Sequence, residues 1–283
     1  MDAEALQYLQ NLAESLKRGG AEGEEDSQYA TSMKQVAYEL QDKAGAFKEI
    51  APIKNEFIRL MVFTYRKAKD WDGRIAQQVW SSWLMDAPGV SGSRTLRKLG
   101  GLMRSARAAQ VVSNSEDTNL VFQQAIEVHR SFNEFVNSLL PFLINALQVS
   151  QGQRPTKKVF EATYSKKIKM FAEAAKRYPH ETSLTIFGRI LKPPFRNAIA
   201  HSDVELIRDQ NIVRFGVSNN GQRTEHDMDI FEFMAFVALY SHLIHAYTAA
   251  LTIIGTYEMN DPEEVKYIPD DFKAILYNVN YFR

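Results

Sequence analysis

Between positions 233 and 257 the chain carries no Asp, Glu, Lys or Arg. A run that long and that free of charge has two folded fates. It crosses a bilayer, or it forms a helix buried on most of its sides. The residues in and around it favour burial. Ser241, His242, His245 and several Thr and Tyr interrupt the run, and Asp227, Asp229, Glu232 and Glu258 flank it. No cluster of Lys or Arg stands next to it to orient an insertion. The expectation is a core helix over residues 229–255, ended by Gly255.

The rest of the chain is large enough to cover such a helix. Of 283 residues, 45% are apolar and 24% charged, the balance of a soluble globular protein. Lys plus Arg equals Asp plus Glu at 34 each, so net charge offers no general argument for binding nucleic acid. Any such argument must come from local patches. Cysteine is absent, which excludes disulfides, thiolate zinc sites and cysteine nucleophiles. The first residues, Met1, Asp2, Ala3 and Glu4, lack the basic flank and apolar core of a signal peptide, so a cytoplasmic location is expected.

Helical periodicity marks residues 3–18 through Leu6, Leu9, Leu12 and Leu16, and Gly19 and Gly20 stop that helix. An acidic linker at 22–26 precedes helices over 28–50 and 53–69, separated by Pro52. Trp80 and Trp83 share a helix face and read as core. Residues 87–118 change character. Pro88, Gly89, Gly92, Gly100 and Gly101 loosen the chain, and Arg94, Arg97, Lys98, Arg104 and Arg107 follow with no acidic residue between Asp86 and Glu116. A basic connector is the preferred reading, and a phosphate-contacting surface the other. Further helices are expected over 119–149, with Pro141 inside, over 156–178 and over 183–192. Another starts at Pro193 and Pro194, where prolines cost little because the first helical amides have no partner. Strands at 211–217 and 222–228 form a hairpin around Asn219, Asn220 and Gly221. The pattern divides the chain into an N-terminal helical region (1–118), a helical domain (119–257) and an aromatic tail (258–283) that packs onto it.

Chemistry concentrates in Arg196, Asn197 and His201. Asn197 and His201 are four apart and share a helix face. Arg196 and His201 are five apart, roughly 140° around the axis at about 100° per residue. Arg196 sits in the first turn, where its long side chain can swing toward a neighbouring groove. A second copy of the helix across a two-fold axis also brings the two residue types together. Imidazole exchanges protons near neutral pH, guanidinium presents a charged fork to phosphate, and the amide bonds a phosphate oxygen or fixes the imidazole. These are the parts for cleaving RNA. A base takes the 2′-OH proton, the oxygen attacks the adjacent phosphorus, and the guanidinium stabilises the added charge. The bland alternative is a helix-capping Arg beside a buried His.

The order of long helix, second helix, short helix, Pro-Pro-Phe-Arg-Asn-Ala-Ile-Ala-His, hairpin and apolar helix resembles the HEPN domains of prokaryotic toxins and defence proteins. Their motif is Arg, a polar residue that is often Asn, a few apolar residues, then His. The resemblance covers residues 119–257, about half the chain. It implies an all-α fold, a HEPN-like helical bundle with a small β-hairpin, joined here to the N-terminal helical region. It implies a homodimer whose motif helices face each other across a cleft holding two Arg and two His. Arg196 then holds the scissile phosphate, Asn197 orients it, and His201 acts as base or acid. The implied activity is a metal-independent endoribonuclease with no cofactor, acting on RNA as a toxin or anti-phage effector, with an antitoxin or regulatory protein as partner. One group of these toxins carries a Tyr two residues after the His, which its antitoxin modifies. Here the position is Asp203, which can instead raise the pKa of a nearby imidazole or cap the helix. HEPN-like folds without activity exist as dimerisation or partner-binding modules, so fold alone leaves that reading open, as it does RNA binding without cleavage.

Other residues carry weaker signals. His129, on the long helix with Arg130 and Glu134, is a supporting candidate at the border of the cleft. Lys157, Lys158, Lys166, Lys167 and Lys169 belong to a basic stretch that offers an RNA track. His242 and His245 are three apart but lack a third ligand nearby, and read as core or interface histidines.

Overall fold

The computed structural model describes residues 50–84, 95–112, 115, 117–191, 193–210, 212–219 and 222–277. The expected helix at 3–18, that at 28–50 except its last residue, the acidic linker, the glycines at 89 and 92, the Asn220 and Gly221 turn and the last aromatics lie outside these residues. Among the described residues the chain is mostly helical, with one small three-stranded antiparallel sheet.

Two helices form the spine. Helix α1 (Ile50–Trp71) is followed by α2 (Gly73–Leu84), α3 (Thr95–Val112) and the long α4 (Thr118–Val149). Asp117 caps α4, its carboxylate accepting from the amides of Asn119 and Leu120 at 3.0 and 3.2 Å. With 32 residues α4 runs about 48 Å. Its apolar face includes Phe132, Phe135, Val136, Leu139 and Leu140, each at most 1% exposed. The other spine element is the charge-free run, which forms α9 (Ile230–Met259). The segment Phe236–Met259 is long and apolar enough to cross a membrane, yet 72% of its most apolar window is buried within the protein, as in the core helix of a soluble protein. Three of its threonine hydroxyls are satisfied along its own backbone. Thr248, Thr252 and Thr256 donate to the carbonyls four residues earlier at 3.2, 3.0 and 2.9 Å. Helices α1, α3 and α4 cover it, and Tyr240 stacks on Phe132 of α4 with ring centroids 3.7 Å apart.

Helix α1 runs through Pro52 and α9 through Gly255, where a break and an end were expected, and three further expectations change. First, residues 95–112 are a helix, not a loose connector. Leu96, Leu99 and Leu102 recur every third residue and are buried, while Arg97, Arg104 and Arg107 face outward. Two glycines cost helix propensity, roughly 1 kcal/mol each, and burial against α4 and α9 outweighs it. Second, the helix expected over 156–178 divides into a single turn α5 (Lys158–Glu161) and α6 (Tyr164–Ala175). Ala162 and Thr163 are extended between them, and the Thr163 hydroxyl caps α6 at the Lys166 amide. Third, the hairpin gains a strand. After α7 (Thr182–Ile190) and α8 (Pro193–Ala200), β1 (Val204–Ile207) pairs antiparallel with β2 (Ile212–Asn219), Val204 opposite Phe215. β2 in turn pairs with β3 (Gln222–Asp229). Four residues are too few for strand alternation to register in sequence.

The tail folds as α10 (Pro262–Val265) and α11 (Asp270–Tyr277), which packs on α1 through buried Phe272, Ile275 and Leu276. One apolar core joins α1 to α11 and runs across position 118 without a break.

Candidate functional site

The burial of α8 decides what it can present. Phe195, Ala198 and Ile199 are buried, the spacing of one helix stripe. Phe195 meets the rings of His129 and Phe215 edge-on, with both centroids 5.0 Å away. That stripe pins α8 to α4 and β2 and turns Arg196, Asn197 and His201 away from the core.

Arg196 is half-buried and held on three sides. Its Nη2 lies 3.4 Å from Glu134 Oε1, and its Nη1 donates to Asn197 Oδ1 at 3.3 Å. Its guanidinium carbon stands 5.3 Å from the centre of the Tyr164 ring. The other oxygen of Glu134 accepts from Lys98 Nζ at 2.9 Å, so one carboxylate joins α3, α4 and α8. Tyr164 is buried beneath this group and donates to Asn133 Oδ1 at 3.1 Å, and Asn133 is tied to the His129 carbonyl at 2.7 Å. One turn further along α6, Lys167 is buried and donates to Asn137 Oδ1 and the Asn137 carbonyl at 2.9 and 3.2 Å.

The charges respond to one another. Partial burial raises the Glu134 carboxyl, but the hydrogen bonds and charges of Lys98 and Arg196 overcome it and leave it below its ordinary value. Burial pushes the Lys167 ammonium down, against the pull of Glu134 and with the repulsion of Arg196. Burial lifts the Tyr164 phenol far above its usual range, and Arg196 offsets part of this. Tyr164 therefore acts here as a neutral hydrogen-bond donor and a π face.

His201 ends α8. Ser202 takes a left-handed conformation (φ 56°), the Asp203 amide donates to the Ala198 carbonyl at 2.9 Å, and the Ser202 amide donates to that of Ile199 at 3.2 Å. This paired closure stops the helix and sets the direction of His201. The side chain is exposed, and among the described residues its imidazole has no hydrogen-bond or ion-pair partner. Within one chain, then, Arg196 and Asn197 meet each other, while His201 stands apart in solvent. The bland alternative, a capping Arg beside a buried His, does not fit an exposed His201.

The supporting candidates change place. His129 is 0% exposed, with Nε2 3.2 Å from the Phe233 carbonyl and its ring stacked on Phe233 and edge-on to Tyr240. It belongs to the core, because the α4 face it occupies is the face that α8 and α9 cover. The Asp203 carboxylate, named as a partner for an imidazole or a cap for α8, is engaged elsewhere. Its oxygens take a two-pronged contact from Arg223 of β3 at 2.7 and 3.2 Å. Gly216 makes room for this pair, since a Cβ there would fall 2.0 Å from Asp203 Oδ2. In the basic stretch Lys157, Lys158, Lys166 and Lys169 are exposed, but Lys167 is turned into the protein. His242 is half-buried and His245 exposed, both on the wall of a cavity of about 580 Å³ between α3, α4 and α9.

Sequence reasoning named Glu134 and Lys98 without joining them to each other or to Tyr164. The available signal was Glu134 itself, a carboxylate set between the apolar Phe132 and Phe135 on a helix with few acids. Spacing along one helix carries no information on what α3 or α6 brings to it. No protein-family model, curated protein or solved structure matches this chain.

Proposed function

We propose that the protein is a metal-independent endoribonuclease of HEPN type, acting as a homodimer. The observation that carries this reading is α8 itself. It offers an exposed imidazole at its C-terminal end and, in its first turn, a guanidinium propped from below by Tyr164 and from the side by Glu134. A second α8 across a two-fold axis places the His201 of one subunit near the Arg196 of the other. In such a cleft one imidazole takes the ribose 2′-OH proton. The oxygen attacks phosphorus, the P–O5′ bond breaks, and the second imidazole gives a proton to the leaving 5′ oxygen. Arg196 neutralises the charge that builds on the phosphoryl oxygens, and Asn197 steadies Arg196. The products are a 2′,3′-cyclic phosphate and a 5′-OH, and DNA is inert. Exposed Lys157, Lys158, Lys166 and Lys169 extend a path for the strand. A role as toxin or anti-phage effector, in the cytoplasm and under a regulatory partner, follows from the same resemblance.

The second reading is a dimerisation or partner-binding module without catalysis. It is favoured by the ion pair of Arg196 with Glu134, which is also what a structural Arg would make. RNA with EDTA separates the two. Arg196→Ala and His201→Ala should each lose cleavage by about a hundredfold or more with melting and dimer mass unchanged. Loss of folding in both variants, with wild-type protein that leaves RNA intact, supports the module instead.

A further inference from the structure

We propose that Lys98 and Arg196 form a two-cation clamp for a single RNA phosphodiester, and that Glu134 occupies the clamp as an internal stand-in for the phosphate until RNA displaces it. The inference rests on the nuclease reading for the identity of the anion, but its geometry stands alone. Glu134 places one oxygen on each cation, 2.9 Å from Lys98 Nζ and 3.4 Å from Arg196 Nη2. A carboxylate and a phosphodiester both present two anionic oxygens on one centre at similar spacing, so what holds one is shaped for the other. The three side chains keep 36%, 37% and 24% exposure for Lys98, Glu134 and Arg196, so solvent and a strand reach them.

Charge also favours exchange. Lys98, Arg196 and the neighbouring Lys167 outnumber Glu134, and Arg196 and Glu134 both act on Lys167 electrostatically. The group therefore holds excess positive charge that a phosphate can neutralise. Arg196 loses little when Glu134 leaves, because Tyr164 and Asn197 still hold it. Glu134 needs only a rotamer change on the rigid α4 to withdraw. The consequence is a gate on affinity. Acidic or non-RNA surfaces with weaker anions do not outcompete a tethered carboxylate, whereas a phosphate with further contacts along the exposed lysines does.

A fluorescent 2′-O-methyl oligoribonucleotide, which binds without being cut, tests this by anisotropy over a range of salt. Glu134→Gln should tighten binding by about fivefold, because the competing charge is gone. Lys98→Gln should weaken it on the order of tenfold and lower the salt slope by roughly 0.7, one phosphate contact on a single strand. A Glu134→Gln variant that binds equally or more weakly would overturn the clamp and leave Glu134 as a strut between helices. So would a Lys98→Gln variant with an unchanged slope, or wild-type protein that fails to bind at low salt. Lys98→Gln carries the test if Glu134→Gln proves unstable. Cleavage of ordinary RNA, lost in His201→Ala, is scored separately. Cutting without these binding shifts sinks the clamp alone, and the shifts without cutting sink the nuclease alone.

Discussion

Arg196 and His201 differ in the kind of evidence they leave in a sequence. Both were visible as a motif, but the surroundings that tell a reactive group from a structural one come from elsewhere in the chain. Arg196 is defined by Glu134 and Tyr164, which lie 62 and 32 positions away. His129 carried the same chemical promise as His201 and ended among Phe195, Phe233 and Tyr240, since helical spacing does not say which face a later helix will cover. His129→Ala should cost about 3 kcal/mol of stability in urea melts, as a buried ring is removed, and leave the cleavage rate of the remaining folded protein unchanged. A rate loss without a stability loss would return His129 to the site. The buried phenols give a pH signature. Tyr65, Tyr164, Tyr240 and Tyr247 are all raised, burial being the first cause in each. The folded phenols stay neutral while those of the unfolded chain ionise near pH 10. Their contribution is therefore whole below about pH 10 and is lost as pH rises beyond it. Melting temperature should fall steeply above that pH, with tyrosinate absorbance at 295 nm appearing together with unfolding rather than before it.

Elements with a strong period were legible, and elements set by tertiary contact were not. α4 and α9 followed from long apolar patterns, and the Asp117 cap agrees with the expected start of α4. α3 was obscured by Gly100 and Gly101, whose cost is outweighed by a face that only α4 and α9 supply. β1 was obscured because it is four residues long and gains its hydrogen bonds from β2. The turn between α8 and β1 contains a testable strain. Ser202 has φ 56°, a conformation that costs a side-chain-bearing residue roughly 1 kcal/mol. Ser202→Gly should therefore raise stability by up to about 1 kcal/mol and keep His201 in place. A destabilised Ser202→Gly would mean that the turn is held by more than its backbone.

At the scale of the whole molecule, composition suggested a boundary near residue 118, while the core passes through it. Phe57, Leu60, Val62 and Phe63 of α1 are buried in the same cluster as Leu243, Tyr247 and Ile254 of α9. A fragment of residues 119–257 lacks that cover and exposes an apolar helix face. It should be insoluble or lack cooperative unfolding by calorimetry, and a soluble fragment with a sharp transition would refute the shared core. The central claim is that an imidazole and a guanidinium from facing α8 helices drive attack by a ribose 2′-OH. Its most direct test is end-group analysis of RNA cut by the purified dimer in EDTA. A matched substrate should carry one 2′-deoxyribose at the mapped scission point. The account predicts 2′,3′-cyclic phosphate ends, no cutting at the deoxy position, and no cutting by His201→Ala. Cleavage at the deoxy position, or 3′-OH and 5′-phosphate ends, would contradict it.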